Sequence, residues 1–263
     1  MTKLQITAVF STALLLFVMY FGCDTKTKDI QRSEKSRALS SEKTDINLLL
    51  RDARSAISDA QNTFVLTLEE QLEKASPDSA KVNVLKQLSG KWYEFGHPAI
   101  AGHYAQNVAE LTNSEETWSI AGTTYAICVQ DAKDDIIREF CSKRAVTAFE
   151  NAISLNPESV VHKVNLALSY AEFPPAGQEM KGPMMLLDLN REQPENVLVL
   201  NSLARLAIKT SQFDRALARL EKAIATEPEN VSSNCLLATV YEALKKPVEA
   251  QQYLEKCRAL QAR

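Results

Sequence analysis

A helical pattern that recurs along the chain limits the possible folds most. The segments AVTAFENAISLNPES, MMLLDLNREQPENV and ALARLEKAIATEPENV each place apolar residues at steps of three and four, as on one face of an α-helix. Each segment ends at a proline, which stops a helix. These prolines are Pro157, Pro194 and Pro228, spaced by 37 and 34 residues. The pattern predicts an all-α chain built from repeated helical units.

A period of 34 residues per helix-turn-helix unit is that of the tetratricopeptide repeat (TPR). Signature positions of that family are occupied in residues 197–229 by Leu200, Leu203, Ala204, Ala207, Ala216, Leu220, Ala223 and Pro228. Residues 231–262 match at Leu237, Ala238, Tyr241, Ala250, Leu254 and Cys257, and residues 160–195 at Leu166, Ala167, Tyr170, Leu186 and Pro194. The sequence therefore resembles a TPR protein, which implies an α-solenoid.

Two earlier units fit the pattern less closely. Residues 82–114 place Leu88, Trp92, Ala101, Ala105 and Val108 at the expected positions. Residues 115–158 match in both helices but carry about eleven extra residues around positions 131–140, read as a helix extension or a loop. We therefore expect a TPR-like solenoid of about five units over residues 82–262. The insertion at 172–183 is either a contact site or a tolerated loop.

A long amphipathic helix is predicted ahead of the solenoid, over residues 45–75. Asp45 can cap it, because a carboxylate accepts hydrogen bonds from free N–H groups at a helix start. Its apolar residues recur at helical steps: Ile46, Leu50, Ala53, Ile57, Ala60, Phe64, Leu68 and Leu72. This stripe either packs on the first repeat or mediates self-association, as in a coiled coil.

The N-terminus indicates export and attachment to a membrane. An apolar run over residues 6–21 is followed by Gly22-Cys23, which resembles the end of a bacterial lipoprotein signal. The resemblance implies a signal peptide over 1–22 and a lipid on Cys23. The alternatives are an uncleaved anchor helix and an unmodified cysteine. Residues 23–44 are polar and charged and predict a flexible tether. The expected location is the bacterial envelope, facing the periplasm.

The other four cysteines have no spacing typical of a zinc site, since C-x-x-C is absent from the sequence. The favoured interpretation is that Cys128, Cys141, Cys235 and Cys257 are small buried apolar residues. Pairing within 128/141 or within 235/257 stays open, because an exported protein can form disulfides.

Charge and motifs argue against several functions. The chain has 30 basic and 33 acidic side chains and no basic stretch, so a nucleic-acid partner is not expected. His97, His103 and His162 lack metal-ligand spacing, and the sequence contains no phosphate loop, no G-x-S-x-G and no H-E-x-x-H. We therefore expect no enzyme, no cofactor and no metal.

The TPR resemblance implies a concave groove lined by the first helix of each unit. In residues 197–229 the groove positions are Asn201, Arg205 and Lys209, spaced by four and so on one helix face. The equivalent positions in the neighbouring units are Val164, Leu168, Cys235 and Thr239. These positions predict a mixed apolar and basic groove for peptides; the alternative is a solvated polar face that binds no partner.

The sequence thus favours a non-enzymatic scaffold that binds protein or peptide partners at an envelope membrane, in one version during assembly or chaperoning of envelope proteins. The alternative is an accessory subunit or enzyme of cell-wall metabolism.

Overall fold

The computed structural model describes residues 45–262, and all regular secondary structure within this range is α-helical. The predicted signal peptide, Cys23 and the predicted tether lie outside the described residues. The helices are α1 (Ile46–Ala56), α2 (Asp59–Lys74), α3 (Asp78–Glu94), α4 (Pro98–Thr112), α5 (Glu115–Asp131), α6 (Asp135–Leu155), α7 (Val160–Glu172), α8 (Lys181–Glu192), α9 (Val197–Lys209), α10 (Phe213–Thr226), α11 (Val231–Ala243) and α12 (Pro247–Gln261).

From α3 onward the helices form five antiparallel pairs that stack in chain order. The two helices of each pair pack along each other, and each pair also packs against the next. The first helices of successive pairs, such as α7 and α9 or α9 and α11, also touch directly. This arrangement confirms the predicted all-α solenoid.

Polar caps fix where the first helix of most pairs begins. The side chains of Ser114, Ser159, Asn196 and Asn230 each accept a hydrogen bond from the backbone N–H three residues later. Such caps satisfy N–H groups that have no partner within the helix. Prolines follow the second helices at residues 157, 194 and 228, so the same signals set the boundaries of successive pairs.

The segment predicted as one long helix forms two helices, α1 and α2. Ser58 starts the second one: its hydroxyl accepts from the Gln61 N–H, and the Gln61 side chain accepts from the Ser58 N–H. This reciprocal capping box favours a helix start over a continuous helix. Most of the apolar stripe packs against Leu88 and Trp92 of the first pair. Self-association through this stripe stays a prediction.

Two disulfide bonds correct the favoured interpretation of the cysteines as unpaired residues. Cys128 bonds Cys141 and joins α5 to α6, while Cys235 bonds Cys257 and joins α11 to α12. The partners face each other because the two helices of a pair run antiparallel. Sequence spacing could not decide the pairing, since burial of a free thiol gives the same apolar pattern.

The two irregular parts of the repeat are accommodated differently. The extra residues of the second pair extend α5 and α6, which are separated by only three residues, 132–134. The insertion of the third pair forms the loop 173–180 between α7 and α8. The Ser142 hydroxyl donates to the Phe173 carbonyl at 3.1 Å, which ties the loop to α6.

Candidate functional site

A groove crosses the first helices of three successive pairs, α5, α7 and α9. It encloses a cavity of about 300 Å³. The lining residues come from α5 (Thr123, Ala126, Ile127, Val129, Gln130), from α6 (Phe149), from α7 (Asn165, Leu168, Ser169, Glu172) and from α9 (Arg205, Leu206, Lys209). Because three separate pairs contribute to it, the groove exists only when the pairs are stacked.

The position of α7 beside α5 is fixed at the ends of these helices. His162 of α7 is buried, and its Nε2 lies 2.7 Å from a carboxylate oxygen of Glu115 at the start of α5. The Asn156 amide donates to both oxygens of the same carboxylate at 3.0 Å. The hydrogen bond with His162, followed by that with Asn156, lowers the pKa of Glu115. His162 therefore helps to pack α7 against α5.

The middle of the groove is apolar. Ile127 of α5, Leu168 of α7 and Leu206 of α9 are each partly exposed and line the same cavity. Exposed aliphatic surface in a concave site is favourable for burying an apolar side chain of a ligand. The asparagine, glutamine and threonine side chains around it supply hydrogen-bonding groups suited to a peptide backbone.

The α9 side of the groove is basic. Lys209 Nζ lies 3.0 Å from a carboxylate oxygen of Glu172, so its charge is partly balanced by an ion pair between α9 and α7. Arg205 is exposed and donates to the Ser232 hydroxyl at 2.9 Å, and within residues 45–262 it has no acidic partner. A guanidinium can bind a carboxylate through two parallel hydrogen bonds. Arg205 is therefore the residue best placed to hold an anionic group.

Two residues predicted for the groove are buried instead. Asn201 is 4% exposed, and its side chain bonds to Asn230 and Ser233 at the junction between α9 and α11. Val164 is 0% exposed and lies in the core beside Leu186 and Leu203. Their helical position faces the next pair more than it faces solvent, so neither side chain can contact a partner.

The predicted residues of the last unit lie apart from this groove. Cys235 is bonded to Cys257, and Thr239 is exposed. Both line a separate cavity of about 500 Å³ between α11 and α12. The structure therefore brings together Leu168, Arg205 and Lys209 out of the seven predicted groove residues.

The sequence interpretation missed the contributions of α5 and the acidic residue of α7. Thr123 and Ile127 occupy the same helical places in the second unit as Arg205 and Lys209 in the fourth, and Glu172 occupies the place of Lys209 in the third. The repeat register alone could have identified all three. Groove positions were predicted only within residues 160–262, where the match to the repeat pattern is strong.

Groups with strongly shifted pKa values lie at packing contacts outside the groove. Burial, with a smaller effect of Arg144, lowers the pKa of His103 to about 4. Burial raises the pKa of Tyr104, and the nearby Glu69 carboxylate raises it further. Between residues 45 and 262 no three His, Cys, Asp or Glu side chains are grouped as metal ligands, and no helix is long and apolar enough to span a bilayer.

Comparison with known proteins agrees with the repeat. Residues 207–262 match a family model described as a tetratricopeptide repeat. TTC0263, described as a thermophilic TPR protein in Thermus thermophilus, is similar in structure with a TM-score of 0.50 and 18% identity, over 70% of this chain and 90% of that chain. MamA from Desulfovibrio magneticus RS-1 aligns with a TM-score of 0.42 and 16% identity, over 69% and 95%. No curated protein sequence matches the chain significantly.

The family match covers the two helices that form the last pair and the helix before them. At 18% identity, the likeness to the Thermus protein concerns the fold alone. The family match and the likeness to the Thermus protein both agree with a TPR-type solenoid. A role for the groove is argued from the geometry of the groove alone.

Proposed function

We propose that this chain is a non-enzymatic scaffold that binds a protein or peptide partner in the groove formed by α5, α7 and α9. The observation that carries the proposal is that Arg205 lines one cavity together with the apolar residues Leu168 and Leu206. An extended peptide can place an aliphatic side chain on the apolar wall and a carboxylate on the arginine. TPR solenoids are typically scaffolds of this kind, and residues 207–262 match that repeat.

The proposed location is the bacterial envelope, with the solenoid held at a membrane by lipid on Cys23. The lipoprotein-like junction Gly22-Cys23 motivates this assignment. Two disulfides support it, because structural disulfides persist mainly outside the reducing cytosol. Mass spectrometry of the N-terminal peptide from native membranes tests the anchor: an acylated Cys23 as first residue is expected, and retention of residues 1–22 would replace it with a spanning segment.

The groove is tested by partner capture from the envelope. Crosslinking of the full chain in cells identifies the partner, and its affinity is then measured with the Arg205→Glu variant. Reversing the charge in the basic half of the groove is expected to weaken binding by about tenfold or more, the size of a lost charged contact in an interface.

The matched control is Lys222→Glu, which makes the same change in net charge on an exposed position of α10, outside the cavity. Binding by this variant is expected to equal that of the wild type. Equal affinity of the Arg205→Glu variant, with unchanged thermal unfolding, would contradict the proposed site.

A further inference from the structure

A further cavity lies between α1 and the first two helix pairs. It has a volume of about 360 Å³, which is within the size range of small-molecule sites in proteins. It is lined by α1, by the turn between α3 and α4 with the start of α4, and by the end of α5 with the start of α6. Because three separate parts of the chain contribute to it, the cavity forms only in the folded solenoid. We call it the N-terminal cavity.

The N-terminal cavity has mainly apolar walls. Each of the three parts of the chain supplies aliphatic side chains to it, among them Leu49, Ala53, Pro98, Ile100, Ala132 and Ile137. Leu49 and Ile137 are partly exposed, so apolar surface of this cavity is in contact with water. Covering that surface with the aliphatic body of a ligand is favourable.

The carboxylates of the cavity give it a charge of one sign. They belong to Asp52 on α1 and Asp131 on α5, and among residues 45–262 no lysine or arginine side chain lines the cavity. Asp52 forms an exposed ion pair with Arg51 at 3.2 Å, and exposed pairs of this kind contribute little free energy. The two carboxylates therefore favour a cationic ligand and disfavour an anionic one.

Asp131 does not stabilise the helix that carries it. It is the last residue of α5, where the partial negative charge of the helix end makes an acidic side chain unfavourable. Within residues 45–262 its carboxylate takes part in no hydrogen bond and no ion pair. The carboxylate is therefore available to a ligand in the cavity.

His97 adds a hydrogen-bonding group to the apolar wall. Its ring is half-buried and packs edge-on against Trp92, with ring centroids 5.5 Å apart. His97 occupies the N-cap position of α4, but its side chain does not cap the helix, and in the described part of the chain its ring nitrogens form no hydrogen bond. Burial lowers the pKa of His97, so the ring is neutral at pH 7 and one nitrogen can accept a hydrogen bond.

An organic cation fits these groups better than a metal ion, because no three His, Cys, Asp or Glu side chains among residues 45–262 are grouped as metal ligands. We propose that the N-terminal cavity binds a small aliphatic amine. Its protonated amino group lies near Asp52 and Asp131 and donates to His97, while its carbon chain covers the apolar wall. This site does not depend on the proposed ligand of the groove, since the two cavities share no lining residue.

The experiment titrates the full chain with octylamine, 1-octanol and octanoate, which share one carbon chain and differ in the charge of the head group. Binding is followed by tryptophan fluorescence, because Trp92 contacts the His97 ring. Octylamine is expected to bind about tenfold more tightly than octanol, and octanoate more weakly than either. Equal affinities for octylamine and octanol, or no saturable binding of octylamine, would overturn the proposal.

Charge variants locate the amino group. Asp131→Asn is expected to weaken octylamine binding by about threefold to fivefold, the size of one exposed ion pair, and to leave octanol binding unchanged. Asp52→Asn/Asp131→Asn is expected to bind the two probes about equally. The matched control is Asp214→Asn, the same charge change at an exposed position of α10, and it is expected to bind as the wild type does. If Asp131→Asn and Asp214→Asn weaken octylamine binding alike, the amine responds to net charge and the proposed site is wrong.

A cavity-filling variant locates the carbon chain. Ala132 lines the cavity and is partly exposed, so a larger side chain there can occupy the cavity without entering the core. Ala132→Phe is expected to abolish binding of both octylamine and octanol while the circular dichroism spectrum remains helical. Ala218→Phe, at an exposed position of α10, is the control and is expected to keep both affinities. Unchanged octylamine affinity in Ala132→Phe would place the ligand elsewhere and overturn the proposal.

Discussion

The Ser233 hydroxyl donates a hydrogen bond of 2.8 Å to the Asn201 side-chain oxygen. Asn201 lies on α9 and Ser233 on α11, and both are buried. The Asn201 amide also donates to the Asn230 side chain, which caps α11. One asparagine therefore links the start of α11 to the helix pair before it.

Replacement of Asn201 by leucine is expected to destabilise the protein by about 1–3 kcal/mol, because the buried Ser233 hydroxyl and the Asn230 side chain each lose a hydrogen bond to α9. Urea unfolding followed by circular dichroism measures the change. The matched variant is Val164→Leu at the equivalent place of the third unit, where no hydrogen bond is lost. If Asn201→Leu is as stable as the wild type, the polar link does not contribute to stacking.

The contrast between Asn201 and Arg205 shows what the sequence could predict. The repeat register placed both residues on one face of α9, and the helix pairs followed from apolar spacing and prolines. The register could not tell which of the two faces solvent, because that depends on how far α11 overlaps α9. That overlap is a property of the stacked pairs, so Asn201 and Val164 were predicted as groove residues and are buried.

The disulfides and the break between α1 and α2 are two further features that the sequence interpretation did not predict. Burial of Cys257 followed from its signature position in the repeat, whereas pairing depends on the angle at which two helices meet. The break between α1 and α2 was missed because the apolar stripe continues across Ser58, although Ser58 and Gln61 form the S-x-x-Q pattern of a capping box in the sequence.

Gly182 is expected to be the least replaceable glycine of the solenoid. A Cβ atom there would lie 2.3 Å from the Ala167 carbonyl oxygen and 2.6 Å from the Ala171 nitrogen, and backbone atoms inside a helix cannot yield as a side chain can. Gly182→Ala should push α8 away from α7 and destabilise the protein by about 2 kcal/mol or more. Chemical denaturation measures the change.

Gly90 offers the opposite result for the same substitution. It lies within α3, and a Cβ atom there would meet nothing within 4 Å. Gly90→Ala is expected to stabilise the protein by about 0.5–1 kcal/mol, because alanine loses less conformational entropy in a helix. A Gly182→Ala variant as stable as Gly90→Ala would show that α7 and α8 are not in close backbone contact.

The disulfides are expected to stabilise the helix pairs that they join. Cys128–Cys141 closes a sequence separation of 13 residues and Cys235–Cys257 one of 22. Loops of these lengths correspond to about 3 kcal/mol each in the chain-entropy account. The double variants Cys128→Ala/Cys141→Ala and Cys235→Ala/Cys257→Ala should each unfold at lower urea concentration by a comparable amount.

Cys257→Ala is a mild change by itself, because Ala223 fills the equivalent place one repeat earlier. A loss of stability in the Cys235→Ala/Cys257→Ala variant therefore reports on the bond more than on packing. Thiol titration of the unfolded, unreduced protein provides an independent check. The two disulfides predict that Cys128, Cys141, Cys235 and Cys257 do not react. If all four react, and both double variants are as stable as the wild type, the pairing is wrong.

Burial of His103 predicts a loss of stability in mild acid. Its pKa falls from about 6.5 in the unfolded chain to about 4 in the folded protein, chiefly because the ring is removed from water and secondly because of Arg144. Between these values the unfolded state binds more protons, so stability is fully present above pH 6.5 and declines as the pH falls toward 4. The decline from this residue amounts to at most about 3 kcal/mol.

The variant His103→Gln removes the titrating group and keeps a polar side chain beside Asn107, whose amide lies 3.3 Å from the His103 ring. Its unfolding free energy is expected to depend less on pH between 6.5 and 4 than that of the wild type. The comparison is made by urea unfolding at several pH values, each protein being referred to its own stability at about pH 7, so that a constant cost of the substitution cancels. If the unfolding free energies of the two proteins change with pH in parallel, protonation of His103 does not destabilise the folded protein.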